Sequence, residues 1–277
     1  MNKISFVLLG LCGSLAIAAG VAVLVLALDR GPRGARSPSV NDKAPASAVQ
    51  ASPQAKATAR RVIEAQIDQV PEYQRFFGRL RLTLPSQYER TLDSFADRRA
   101  GTGVEQPVDS YLSEAVRDLR QSRGALAARA DPASLGRIFD VQLAMLNALA
   151  NADQRLCVDF LYGGASEAFY QFSAQNRQLA SDMAVAGLDA IVDGQAKKNQ
   201  RQPPSDADFQ LLEKAMAGRG LSQTEIEALL DGKTPDPPLA DERLCRAGRV
   251  YLEMLKTLPE PVRLRIYALA VELMARS

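Results

Sequence analysis

An uninterrupted apolar run near the N-terminus is the feature that most restricts how this chain can fold. Residues 4–28 form a stretch of 25 positions without a charged side chain. A helix needs about 20 such residues to cross the hydrocarbon core of a bilayer. We therefore predict a signal-anchor transmembrane helix within residues 1–28, which contacts the membrane through residues 4–28.

Two features of this run indicate whether it is cleaved and how it packs. Ala16, Ile17 and Ala18 have the form of a signal-peptidase site, but ten further uncharged, mostly apolar residues follow them. These ten residues favour a retained anchor, with cleavage as the alternative. Small residues also recur every four positions, a spacing that lets membrane helices approach closely: Gly10, Ser14, Ala18 and Ala22. We attribute this stripe to the Ala-rich composition, and a homo-oligomer formed through the transmembrane helix is the alternative.

The charges that flank the run give conflicting signals about topology. Lys3 precedes it, whereas Arg30, Arg33 and Arg36 follow it. The positive-inside rule would place these arginines in the cytoplasm. A short N-terminal tail followed by a translocated domain is nevertheless the usual plan of a signal anchor. We expect a single-pass protein of a bacterial inner membrane with a periplasmic domain, and a cytoplasm-facing membrane adaptor is the alternative.

The rest of the chain divides by composition into a linker and a helical domain. Residues 29–54 are rich in Pro, Ala and Ser, which predicts a disordered tether. Aromatic residues make up only 6% and Trp is absent, so the core must consist of Leu, Ala, Val and Ile. That composition favours helices over a β-sandwich. We predict an all-α soluble domain over residues 55–277, with a sub-boundary near residues 197–205.

Local signals predict where the helices of this domain begin and end. Asp131 and Pro132 suit an N-cap and the first helical position, and Asn151 with Gln154 resembles a capping box. The predicted helices cover residues 57–69, 71–84, 85–99, 107–130, a segment from 132, a short helix bearing Cys157, 166–197, 206–217, 222–230, 241–258 and 259–275.

The absence of histidine excludes several chemistries. Without it the chain cannot supply a Ser-His-Asp triad, a Cys-His pair or an HExxH zinc site. The short helices around residues 209–233 resemble a DNA-binding helix-turn-helix in size. Glu225, Glu227 and Asp231 in the second of them would repel phosphates, and Ser222 with Glu225 is explained as a capping box. We therefore expect no nucleic-acid partner.

Glu167 is the one candidate catalytic residue. It falls in the first turn of a predicted helix, after Gly163 and Gly164 and near Tyr170. A single glutamic acid of this kind can act as a general acid on a glycan. The simpler interpretation is that Glu is favoured at a helix N-terminus by the helix dipole, since no second carboxylate has a diagnostic spacing.

Cys157 and Cys245 are the two cysteines of the predicted soluble domain. Each lies on the apolar side of its helix, and 88 positions separate them. In an exported chain such a pair favours a disulfide, and two independent buried thiols are the alternative. Two cysteines without histidine do not make a zinc site, so we expect no metal and no cofactor.

These observations predict a non-enzymatic interaction or scaffold module of the bacterial cell envelope. Its functional surface would be a groove between helices, and its partner a protein at the envelope. A carboxylate-dependent envelope glycan hydrolase using Glu167 and a cytoplasm-facing membrane adaptor are the alternatives.

Overall fold

The computed structural model of the protein describes residues 52–163 and 166–276. This part of the chain contains twelve α-helices, one 3-10 helix and no β-strand, which confirms the all-α prediction for it. None of the helices in these two ranges is both long and apolar enough to span a bilayer. The predicted transmembrane helix at residues 4–28, and the tether up to residue 51, lie outside the described residues.

The helices follow one another through short connections, and four of them begin at a proline. A proline suits the first helical position because its φ is already helical and its missing N–H would have no partner there. In chain order the helices are α1 Pro53–Asp68, α2 Pro71–Thr83, α3 Pro85–Thr102, α4 Val108–Arg123, the 3-10 helix Gly124–Arg129, α5 Pro132–Ala152, α6 Gln154–Leu161, α7 Glu167–Gln175, α8 Arg177–Lys197, α9 Asp206–Gly218, α10 Gln223–Leu230, α11 Asp241–Thr257 and α12 Glu260–Arg276.

Several predicted helix boundaries are wrong. Helix α1 begins at Pro53, four residues before the predicted start at residue 57, and so includes the last two positions of the predicted linker. The helix predicted over residues 166–197 is broken at Asn176, whose side-chain amide donates to the Phe172 carbonyl at 2.9 Å and competes with the helical backbone pattern. The N-cap of α6 is Asp153 instead of Asn151, because the Asp153 carboxylate accepts the Leu156 N–H at 3.1 Å. The helix predicted over residues 107–130 changes to 3-10 geometry after Arg123.

Helices α5 and α8 lie at the centre of the packing. Helix α8 contacts α2, α5 and the 3-10 helix, while α5 also contacts α6, α11 and α12. The crossing of α8 and the 3-10 helix depends on Gly194, because a Cβ there would lie 1.9 Å from the Leu126 carbonyl oxygen. Buried apolar side chains from α1 through α12 form one connected core.

The stretch predicted as a sub-boundary is the loop between α8 and α9. The Asn199 N–H donates to the Arg129 carbonyl at 3.1 Å, and the Arg201 guanidinium donates to the carbonyls of Ala128 at 2.8 Å and Ala130 at 2.5 Å. These hydrogen bonds hold the loop against the 3-10 helix.

Helix α10 begins with the predicted capping box, which is also tied to α11. Ser222 accepts the Glu225 N–H, and Glu225 accepts the Ser222 N–H at 2.8 Å. Only 1% of Glu225 is exposed, and Arg243 and Arg246 donate to its carboxylate at 3.2 and 3.1 Å. Burial alone would raise the pKa of Glu225, but the hydrogen bonds from Ser222 and Arg243 lower it to about 2.

Helix α9 also begins with a capping box whose carboxylate binds an arginine of another helix. Ser205 and Asp208 form a second capping box, and Arg265 of α12 donates to both oxygens of the buried Asp208 carboxylate at 2.9 and 2.6 Å. The hydrogen bonds from Arg265 lower the pKa of Asp208 to about 2. In both cases the carboxylate that caps a short helix also fixes that helix to the C-terminal pair α11 and α12.

Candidate functional site

An apolar cavity of about 300 Å³ lies among α2, α4, α5, α6, α7, α8, α11 and α12. Its volume is at the lower end of the range of about 300–1,000 Å³ that is typical of ligand sites. Buried side chains form part of its wall, including Phe139, Met145, Leu146, Leu112 and Ala184. Its more exposed lining residues are Arg117 and Tyr170. We therefore place the mouth of the cavity at these two residues.

Helix α4 contributes a mixed polar and apolar wall. Asp109, Ser113, Val116, Arg117 and Arg120 all line the cavity, and their spacing of three or four positions places them along one side of a helix. Three of these five side chains carry a charge. The cavity therefore has one polar side on an otherwise apolar wall.

Small and flexible side chains create the space. Helix α8 presents Ala180 and Ala184 to the cavity, where larger residues would fill it. Met145, Met183 and Met274 also line it. Methionine has three rotatable bonds and adapts to irregular contents, so these side chains suit a wall that meets a ligand.

A charged cluster occupies one end of the cavity. Asp109 accepts from Arg177 Nε at 2.8 Å, from Arg177 Nη2 at 3.1 Å and from the Tyr73 hydroxyl at 2.5 Å. Burial alone would raise the pKa of Asp109, but the hydrogen bonds from Arg177 and Tyr73 lower it. Burial, together with the hydrogen bond to Asp109, raises the pKa of Tyr73. Asp109 is therefore a carboxylate with its charge balanced, unsuited to act as a proton donor near neutral pH.

Two polar groups of the wall lack a protein partner among the described residues. Ser173 is 7% exposed, and its buried Oγ makes no hydrogen bond there. Arg117 is exposed and makes no ion pair or hydrogen bond with the described part of the chain. A buried hydroxyl without a partner costs about 1–3 kcal/mol, so Ser173 is a group that a ligand would satisfy.

Glu167 lies apart from this cavity. It is exposed in the first turn of α7, its carboxylate accepts from the Gln171 side chain at 3.4 Å, and it does not line the cavity, although Phe169 and Tyr170 of the same helix do. The glycan-hydrolase alternative stays a hypothesis, which loss of wall-cleaving activity in Glu167→Gln would support.

Cys157 and Cys245 are joined in a disulfide with a Cα–Cα distance of 5.7 Å, as predicted. The bond joins α6 to α11, which also approach closely at Gly248, where a Cβ would lie 2.4 Å from a Leu161 methyl carbon. Leu161 of α6 and Tyr251 and Leu252 of α11 all line the cavity. The disulfide therefore fixes one wall of the cavity.

The described ranges contain no cluster of His, Cys, Asp or Glu suited to a metal ion. The lining carboxylate, Asp109, is already paired with Arg177. The arrangement is thus suited to binding an apolar group, and it offers no convergent acid and base.

The cavity was not predicted from the sequence. Leu112 and Val116 recur at helical spacing, and Ser113, Arg117 and Arg120 lie beside them in the chain. Their spacing along α4 predicts that polar side chains lie in one row beside the apolar face of this helix. Ser173 carried no comparable signal, because its lack of a partner depends on what packs around it.

No known family model matches the chain, and comparisons with curated proteins and with solved structures found no significant match. Its function is therefore inferred from the geometry and chemistry of the chain itself.

Proposed function

We propose that this protein is a membrane-anchored, non-enzymatic binding module of the bacterial cell envelope. The single observation that carries the proposal is the apolar cavity, whose lining carboxylate is neutralised by Arg177. A mostly apolar pocket with few polar groups is the usual form of a binding site. The scaffold role predicted from the sequence thus becomes a role in holding an apolar group, carried either by a partner protein or by a small molecule.

The charge-free run at residues 4–28 supports membrane attachment, and the disulfide supports a domain outside the cytoplasm. Structural disulfides persist in oxidising compartments such as the periplasm and are rare in the cytosol. Topology is tested with a single cysteine at Leu82, which is 79% exposed, in a chain whose three native cysteines are replaced by alanine. Labelling of Leu82→Cys in spheroplasts by a membrane-impermeant maleimide is expected, and labelling only after lysis would favour the cytoplasm-facing adaptor.

Filling the cavity tests the binding role. Ala180→Leu adds volume at a half-buried lining position of α8, whereas Ala196→Leu makes the same change at an exposed position of the same helix. The full chain in lipid nanodiscs is titrated with the uncharged apolar probe N-phenylnaphthylamine. We expect saturable binding to the unmodified protein and to Ala196→Leu, and at least about fivefold weaker binding to Ala180→Leu, because an occupied cavity has no room for the probe. Equal binding by both variants would refute the proposal.

A further inference from the structure

We propose that the cavity takes a single-chain amphiphile with a carboxylate head group. This inference rests on the proposed binding function and adds the chemical class of the ligand. The alkyl chain lies against the buried apolar floor, and the carboxylate lies at the side formed by Arg117 and Arg120.

The size and wall of the cavity account for the chain. A volume of about 300 Å³ is at the bottom of the range for ligand sites, which suits one alkyl chain and is too small for a two-chain lipid. The buried floor includes Phe139, Met145 and Leu146, and each methylene group buried there strengthens binding because it leaves water.

The charges on the wall account for the head group. Arg117 and Arg120 lie three positions apart on α4 and both line the cavity. Arg117 has no partner in the described part of the chain. Asp109 does not oppose them, because Arg177 binds both of its oxygens. The positive charge of Arg117 is therefore not balanced by Asp109, and a guanidinium is well suited to a carboxylate.

Ser173 supplies an independent indication of a polar ligand atom. Its Oγ is buried in the cavity wall without a partner among the described residues. A hydroxyl can donate a hydrogen bond to a carboxylate oxygen, and such a bond would remove the cost of the unpaired group. A purely hydrocarbon ligand would leave it unsatisfied.

The chain has no tryptophan, which provides a clean reporter. Tyr170 lines the cavity and is 36% exposed, so Tyr170→Trp places the single indole at the mouth. Leu82→Trp places it at an exposed position outside the cavity. The full chain in lipid nanodiscs is titrated with 2-bromoundecanoate, whose bromine lies beside the head group and quenches a nearby indole, and with the matching alcohol. Saturable quenching of Tyr170→Trp by the acid, at concentrations that leave Leu82→Trp unaffected, is expected.

The contribution of the charge is measured in the Tyr170→Trp background. Arg117→Gln removes the lining arginine, and Arg137→Gln removes an exposed arginine of α5 that does not line the cavity. Comparing variants in identical nanodiscs cancels the partitioning of each probe into lipid. We expect Arg117→Gln to weaken binding of the acid about threefold to tenfold, with the alcohol unchanged, and Arg137→Gln to change neither.

Ser173→Ala separates a ligand contact from a structural role. Removing a buried hydroxyl without a partner is expected to leave the unliganded protein at least as stable in urea unfolding, while weakening binding of the acid. A loss of stability without any loss of binding would contradict the role assigned to Ser173.

The outcomes distinguish this inference from the proposed function. If acid and alcohol respond alike to Arg117→Gln, the carboxylate head group is refuted while the binding function stands. If Ala180→Leu leaves quenching by both probes unchanged, the cavity is not the binding site and both proposals fail.

Discussion

Removing the Cys157–Cys245 disulfide is expected to destabilise the helical domain strongly. The bond closes a loop of 88 positions, and the loss of unfolded-state entropy for a loop of that length stabilises the native protein by about 4–5 kcal/mol. Both cysteines are fully buried, so Cys157→Ala with Cys245→Ala also removes two buried sulfur atoms and adds a cavity contribution to the loss. Reduction of the paired protein keeps both sulfur atoms and therefore isolates the cross-link.

The measurement is urea unfolding followed by far-UV circular dichroism, in a full-length background in which Cys12→Ala leaves only the pair. We expect the double variant to lose about 3–5 kcal/mol of unfolding free energy, and its m-value to rise because its unfolded chain exposes more surface. Reductant should reproduce the loss in the paired protein and change nothing in the double variant. A loss below about 1 kcal/mol would show that packing between α6 and α11, and not the cross-link, holds these helices together.

Two further predictions concern pH and helix crossing. The folded pKa of Glu225 is about 2, against an ordinary value of 4.5. The ionised carboxylate therefore stabilises the folded protein fully above about pH 4.5, and this contribution of about 3 kcal/mol at most is lost as the pH falls toward 2. Glu225→Gln should lack this part of the acid dependence of urea unfolding, and an unchanged pH profile would refute the assignment. Gly194→Ala should destabilise the domain by about 1–3 kcal/mol or more, because its Cβ meets the Leu126 carbonyl oxygen. Gly187→Ala in the same helix, where a Cβ meets nothing within 4 Å, should be neutral or stabilise by about 0.5–1 kcal/mol; comparable losses in both variants would contradict the crossing argument.

Most helix boundaries were predictable because they depend on residues close in sequence. Prolines at the start of α2, α3 and α5, and the Ser222–Glu225 box of α10, act within a single turn. The break at Asn176 was missed because the side chain of an asparagine within a helical pattern can either face solvent or bond to the backbone four residues earlier. Here it bonds to Phe172, and the pattern alone does not decide between the two.

The disulfide was predictable only in part. The sequence placed Cys157 and Cys245 on apolar helix faces and so indicated that both point inward. That their Cα atoms lie 5.7 Å apart depends on α6 packing against α11, where Gly248 permits the close approach to Leu161. The pairing was therefore predictable from the apolar helix faces and the expected compartment, but the contact itself required the tertiary arrangement.

The sequence by itself determined the helical class, most helix ends and the capping box of α10, since propensity, capping and periodicity act within a few residues. Only the tertiary structure decided that Ala180, Ser173 and Arg117, from three different helices, border one cavity. A cavity is a volume that packing leaves unfilled. Its existence therefore depends on how side chains distant in sequence meet, and no local pattern in the chain encodes it.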